Sequence, residues 1–312
     1  MDRLPTFTIG TPTYNRASLL KRLYKSICAQ TFKDFVWLIV DDGSSDDTRN
    51  VVEQFISENK VRIIYHYQEN RGLYYADKYL NTHFQSRYYL RIDDDDTLTP
   101  DCLQVFKNEW DEIEKERKSK IGCIRALSVD ENGLISGNSN IFKQSDKIDT
   151  TYIEVEWVKA MHMENITCLK SEVFQQVDLY KDEKKWLFDK ISMEYESVFW
   201  NRIAFLYETR YINKKLRVYY HDAESSLTRD SFSKTKCYNY VFTIYNMLND
   251  LGSTKSKNMR MFLRELGKYW TCAIAIKLPF VKAIVALNGC SSKVYSLLVY
   301  PFAYLVSRRI VK

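Results

Sequence analysis

Glycine and proline are scarce, at 9 and 5 of 312 residues. That excludes a fibrous chain, and an apolar content of 45% excludes a disordered one. The seven cysteines are odd in number and show no CxxC spacing, which argues against a disulfide framework or a zinc knuckle. They are read as lone buried thiols in a reducing compartment. No GxGxxG opens a strand–helix turn, so a dinucleotide dehydrogenase is disfavoured. The opening MDRLPTFTIG has no apolar stretch after its basic residue, so no signal peptide is expected and the chain is assigned to the cytoplasm. Long hydrophobic runs are missing too: the uncharged run 294–307 has fourteen residues, against the roughly 18–20 needed to cross a bilayer.

Charge is present but unevenly placed. The net charge is +6, yet residues 255–312 hold eleven Lys or Arg and one acid, Glu265, leaving −4 on residues 1–254. A neutral-to-acidic body thus carries a basic tail.

The first hundred residues alternate strand and helix patterns with short joins. Strands are predicted at 7–11, 35–40, 61–67 and 87–92 and helices at 18–29, 45–56 and 73–84, with Ser45 or Asp46 capping the second helix. Continuous apolar strands separated by helices predict an α/β fold with a parallel sheet covered on both faces. Beyond lie a charged helix at 100–119, strand-like pieces at 121–129, 152–158 and 211–221, a helix at 194–207 and a helical last sixty residues. Two parts are expected, 1–230 and a basic helical region 231–312.

Function in such sheets sits at the carboxyl ends of the strands. Three of these ends are unusual. Asp93 to Asp96 are four consecutive carboxylates after an apolar strand. Buried without a counterion they would repel strongly, and carboxylate oxygens suit Mg²⁺ or Mn²⁺ that keep positions open for phosphate. The pair Asp41-Asp42 precedes a Gly turn and is placed to accept from a base N–H or a ribose hydroxyl. TPTYNR offers Tyr14 as a stacking ring, with Pro12 and Asn15 as loop residues.

In this order the segments TIGTPTYNR (8–16), SICAQTFKDFVWLIVDDGSSDDT (26–48), ENRGLYYADK (69–78) and LRIDDDDTLTP (90–100) resemble the family-2 glycosyltransferases of GT-A fold. The likeness is strong over about the first 110 residues and returns weakly at 193–229. The resemblance implies a GT-A fold: a Rossmann-like, mostly parallel sheet flanked by helices, with a helical C-terminal appendage. It also implies a nucleotide-diphosphate-sugar donor (a UDP-sugar first), a divalent cation (Mn²⁺ or Mg²⁺) and inverting transfer to a saccharide or lipid-linked acceptor. Asp42 would contact the base, with Thr11, Pro12 and Tyr14 forming its pocket. Asp93 would face the donor and Asp95 the metal, and the run of four lets Asp94 or Asp96 share either role. Arg71 falls among the family's donor-binding residues, and His221 where a polar group approaches metal and diphosphate; Arg229 would reach a phosphate. Single displacement needs a carboxylate to take the acceptor's proton; Glu196 is preferred and Glu194 is the alternative.

The tail carries LPFVKAIVAL (278–287) and the run 294–307, flanked by Lys293, Arg308 and Arg309. Such a segment is read as an interfacial anchor on an anionic membrane surface, at the inner face of the cell membrane, and not as a nucleic-acid arm. Two rival functions remain: a non-catalytic nucleotide-sugar binder, and a haloacid-dehalogenase-type phosphatase, whose DxDxTL motif matches 93–98 but normally ends the first strand and carries Gly at the fourth place.

Overall fold

The computed structural model describes residues 3–178, 196–220 and 234–310. They fall into two compact units, the first built from 3–151, 161–177 and 206–220, the second from 152–160, 178, 196–205 and 234–310.

The first unit is a nine-stranded sheet with helices. In chain order it holds β1 (Phe7–Thr13), α1 (Ala17–Cys28), β2 (Phe35–Asp41), α2 (Thr48–Glu58), β3 (Ile63–Tyr67), α3 (Leu73–His83) and β4 (Tyr88–Arg91). There follow β5 (Thr97–Leu98), α4 (Cys102–Lys115), β6 (Ile121–Asp130), β7 (Lys147–Thr150), β8 (Asn165–Lys170), α5 (Ser171–Gln176) and β9 (Glu208–Tyr219). The strand order is β3-β2-β1-β4-β8-β6-β9-β5, with β7 paired to β9. Strands β1 to β4 are mutually parallel; β8 runs antiparallel to β4 and β6, and β9 lies parallel to β6.

The α/β fold predicted from the apolar runs is present. Every residue of β1 and β2 is buried, as a parallel strand covered on both faces requires. Helix α1 turns Leu20, Leu23 and Ile27 inward at helical spacing, and α4 does the same with Leu103, Phe106 and Trp110. These side chains close one core with Trp37, Phe55 and Tyr88. Gln30, fully buried, links α1 to α4: its Nε2 donates to Thr99 O at 2.8 Å and its Oε1 accepts from Leu103 N at 3.1 Å.

The second unit is helical: α6 (Glu196–Ala204), α7 (Lys234–Asp250), α8 (Met259–Ala275), α9 (Phe280–Ala286) and α10 (Cys290–Ile310). Its core gathers Trp157, Val241, Leu248, Phe262, Leu266 and Trp270. Arg202 of α6 donates through Nε to Asp250 of α7 at 3.1 Å. Asn258 caps α8 by accepting from Met261 N at 3.0 Å.

The strand expected at 152–158 is instead a π-helical turn, Ile153–Val158, in this second unit. Ile153, Val155 and Trp157 are buried alternately, which is the period-2 pattern that predicted a strand. Ile153 and Trp157 join the helical core of this unit, and among the described residues the segment pairs with no strand, so tertiary context decides the backbone. The cysteines also differ in part from expectation: five are buried, Cys28 is half-buried and Cys290 is exposed, all as free thiols.

Candidate functional site

In the order β2-β1-β4 the chain reverses its direction of travel across the sheet, since β2 and β3 lie on one side of β1 and β4 on the other. Ligands of open α/β sheets bind outside the carboxyl ends at such a point. The register pairs Thr13 with Asp41 and Gly10 with Arg91, so the loops after β1, β2 and β4 emerge along one edge. These are the three segments that the sequence marked.

The loop after β1 clamps the loop after β2. Asn15, at φ 53° in the left-handed region that asparagine tolerates, accepts through Oδ1 from Ser45 N at 2.7 Å and from Asp46 N at 3.3 Å. Its own N donates to Ser44 Oγ at 2.8 Å. Asp46 accepts from Thr48 N at 3.0 Å and Thr48 Oγ1 at 2.5 Å, and from Ala17 N at 3.1 Å, so one carboxylate serves the starts of α2 and α1. Burial raises its pKa, but these bonds outweigh that and the carboxyl is held below its usual range. The N-cap of α2 is thus Asp47, not Ser45 or Asp46 as expected, and it makes no side-chain cap bond. Asp46 holds Thr48 N from one residue further out, and Ser45 turns to Asn15.

Asp41 and Asp42 are both buried and both hydrogen-bonded. Asp41 accepts from Ser44 N at 2.8 Å and from the Tyr65 hydroxyl at 2.6 Å, a structural role. Asp42 accepts at Oδ1 from Gln68 Nε2 at 2.7 Å and Arg71 N at 3.0 Å, and at Oδ2 from Gly72 N at 2.7 Å. It therefore fixes the 68–72 loop that leads into α3. Gly43, at φ 83°, lies against this loop: a Cβ there would come within 2.6 Å of Asn70 N. Arg71 is exposed and its guanidinium stacks 3.8 Å above the Tyr75 ring. Of the expected pocket residues, Tyr14 is exposed at the edge, Pro12 is buried in register with Val40, and Thr11 is buried with its Oγ1 accepting from Trp37 Nε1 at 3.0 Å. The Thr11 side chain is thus committed to the core.

The four carboxylates after β4 are paired within the chain. Arg16 Nη1 lies 2.8 Å from Asp94 Oδ1 and 3.0 Å from Asp95 Oδ2. Arg91 Nη1 lies 2.8 Å from Asp93 Oδ1 while its Nε holds Asp77 at 2.6 Å. Arg217 of β9 donates through Nε to Asp96 Oδ2 at 2.7 Å. Arg22 donates to Asp95 O at 2.6 Å and stacks 3.7 Å over the Tyr220 ring. The counter-charge that the sequence reading assigned to a cation is supplied by arginines. This corrects the argument from repulsion, because folding brings in bases that the local sequence does not show. Arg91, two residues before the run, was the one signal of them.

The pairing divides the four acids. Burial raises Asp93, but Arg91 and Arg217 outweigh that and hold it below the usual carboxylate range. Burial pushes Asp94 up to about 6 against the pull of Arg16, and Asp96 up to about 7 against that of Arg217. The side chains of Asp93 and Asp95 are 39% and 21% exposed, those of Asp94 and Asp96 only 4%. The reachable acids are thus Asp93 and Asp95. Among the described residues no group of three or more His, Cys, Asp or Glu forms a metal cage. An all-oxygen pair still fits Mg²⁺ or Mn²⁺, which bind through one or two carboxylates plus phosphate oxygens. Glu196 is the first residue of α6, in the second unit. Glu194, His221 and Arg229 lie outside the described residues.

A family model, Glycosyl transferase family 2, matches residues 8–202. The chain belongs to that family. Among curated relatives, this family-2 chain is 28% identical over 143 residues to chondroitin synthase of Escherichia coli, covering 45% of this chain and 20% of the relative. It is 42% identical over 73 residues to validoxylamine A glucosyltransferase of Streptomyces hygroscopicus subsp. jinggangensis, covering 23% and 17%. The matched stretches thus span a fifth or less of those relatives. Among solved structures, S. aureus TarS 1–349 in complex with UDP-GlcNAc aligns with TM-score 0.58 at 14% identity, covering 97% of this chain and 92% of that one. GalNAc-T7 with UDP, GalNAc and Mn²⁺ aligns with TM-score 0.57 at 11% identity, covering 99% and 59%. At these identities the alignments speak for the fold, which is the GT-A architecture expected.

Membership in the family leaves the phosphatase reading of 93–98 without support. Those residues follow the fourth strand, and Thr97–Leu98 is itself strand β5, antiparallel to β9.

Proposed function

We propose that this glycosyl transferase moves a sugar, with inversion, from a nucleoside diphosphate donor, a UDP-sugar first, to a saccharide or lipid-linked acceptor. The observation that carries the reading is the convergence of the loops after β1, β2 and β4 on one sheet edge at the reversal of strand order. UDP-GlcNAc in the TarS structure and UDP with Mn²⁺ in the GalNAc-T7 structure support the donor class and the ion. Chondroitin synthase among the relatives supports a saccharide acceptor. The transferase part is proposed to span 1–230.

In this reading Tyr14 offers its exposed ring to the base and the 70–72 backbone, positioned by Asp42, borders the nucleotide. Arg71 lies at the same loop for the donor. Asp93 faces the donor sugar, and Asp95 holds the divalent cation, with Asp94 and Asp96 fixed behind them by Arg16 and Arg217. Bound there, Mn²⁺ or Mg²⁺ would neutralise the charge that grows on the departing diphosphate. His221 is assigned to the same ion. Glu196 takes the acceptor's proton, with Glu194 the alternative. The protein is placed at the inner face of the cell membrane as a peripheral protein, a location supported by the basic, apolar composition of 255–312.

The test is hydrolysis of a panel of nucleotide sugars with Mn²⁺ and with a chelator, run on wild type and Asp95→Asn. The proposal expects one preferred uridine donor, turnover that needs the ion, and loss of ion-dependent donor binding in the variant. Equal donor affinity with and without chelator would overturn the assignment of Asp95.

A further inference from the structure

Helix α10 presents its residues in an unusual arrangement. The side that packs into the second unit carries Ser292, Ser296, Ala303 and Ser307, each 4% exposed or less. Ser296 donates its hydroxyl to Ser292 O at 2.6 Å and Ser307 to Tyr304 O at 2.8 Å, so these hydroxyls are satisfied within the helix. Val299 approaches α8 at Gly267, where a Cβ would lie 3.7 Å from Val299 Cγ1. The opposite side carries Val294, Leu297, Leu298, Phe302 and Leu305, which are between 51% and 71% exposed. Helix α9 adds Val281 and Val285, at 70% and 65%. Tyr295, Val299 and Tyr300 pack against the helical core beside these small residues, so the helix is anchored on one side and leaves a row of large apolar side chains facing solvent on the other. Contiguous exposed apolar side chains of this extent mark an interaction surface.

We propose that this outward face of α9 and α10 is a docking surface for an anionic lipid bilayer. The charges around it decide the occupant. Residues 278–310 contain no Asp or Glu, and Lys282, Lys293 and Arg308 are exposed beside the apolar side chains. Arg308 donates to the Tyr304 hydroxyl at 2.9 Å with its guanidinium 4.9 Å from the ring, a cation and an aromatic together at the helix end. Apolar side chains entering the acyl boundary while bases remain among phosphate headgroups is the geometry of an interfacial helix. A second copy would set these bases against like charges with no acid on the face to answer them. Among the described residues no helix is long and apolar enough to cross a membrane, and the proposal is of a helix lying along the bilayer surface. The inference deepens the proposed location and is independent of the donor chemistry.

The experiment is flotation of the full chain with vesicles of phosphatidylcholine alone and of phosphatidylcholine mixed with phosphatidylglycerol. Binding is expected to the anionic vesicles, weakened by salt. Leu298→Ser with Phe302→Ser, and separately Lys293→Gln with Arg308→Gln, should each lose roughly tenfold in partition. Since all four side chains face solvent, near-ultraviolet circular dichroism is expected to stay unchanged. Absence of binding by the wild type, or binding indifferent to the Leu298 and Phe302 changes, overturns the proposal. So does a dimer in sedimentation velocity that those changes dissolve, with no vesicle binding. Donor hydrolysis in vesicle-free buffer reads the transferase proposal separately, so the two can fail independently.

Discussion

Arg16 and Asp94 join the loops after β1 and β4 across the point where the strand order reverses, Nη1 to Oδ1 at 2.8 Å over 78 residues of sequence. The aspartate side chain is 4% exposed and the arginine 18%, so the pair is largely withdrawn from water. The same nitrogen holds Asp95, the acid proposed to ligate the cation, at 3.0 Å. The edge proposed to bind the donor is therefore built around the Arg16 guanidinium.

Replacing Arg16 should expose both consequences. Arg16→Gln leaves Asp94 buried and unpaired, a loss of about 3 kcal/mol in urea unfolding. It also releases Asp95, so Mn²⁺ binding without nucleotide, read by electron paramagnetic resonance, should tighten. Unchanged stability together with unchanged ion affinity would show that the pair is incidental.

Asp42 accepts three hydrogen bonds from the 68–72 segment. Asp42→Asn must turn an NH₂ toward at least one N–H donor and should cost about 1–3 kcal/mol. Amide exchange at Arg71 and Gly72 is expected to quicken, and UDP affinity to fall with it. Full protection at those amides in the variant would contradict this role.

Glu196→Gln should keep donor binding and lower sugar transfer by about 10²–10⁴-fold, the usual worth of a general base. If Glu194→Gln alone produces that loss, the base is Glu194.

A pH effect is expected away from the acidic edge. His66 stacks on Tyr79 at 3.6 Å between ring centroids, and Tyr79 stacks on His83 at 3.8 Å. Burial first, and then the charge of His83, lower the His66 pKa below its ordinary value. The unfolded chain then binds the proton more readily, so the contribution is fully present above about pH 6.5. It is lost as pH falls through the folded value. Asp96 and Asp94, raised to about 7 and about 6, take up protons in the folded chain over the same range and stabilise it as pH falls, so the His66 effect is read by difference. From about pH 7.5 to 5.5 the urea midpoint should change more favourably in His66→Gln than in the wild type, and identical pH profiles would contradict it.

The parallel half of the sheet was legible because its strands are apolar throughout and its helices show one clean stripe; Phe35 to Val40 and the Leu20, Leu23, Ile27 series leave little alternative. The acidic loops were legible for the same reason, since each ends such a strand. The arginines around them were not: Arg217 reaches Asp96 from 121 residues away, and a local run of acids gives no sign of it. At 152–158 the alternation was real but its partners were helices, which the pattern does not specify. The run 294–307 read as uniformly apolar; the recurrence of small residues at 292, 296, 303 and 307 was the available sign of which side packs inward.

The most direct test of the account is a crystal structure of the chain soaked with UDP and Mn²⁺. The account predicts the ion at Asp95 and the diphosphate at the edge formed by the loops after β1, β2 and β4, with the uracil beside Tyr14. Uridine diphosphate bound elsewhere, or that edge left empty at saturating ligand, would contradict it.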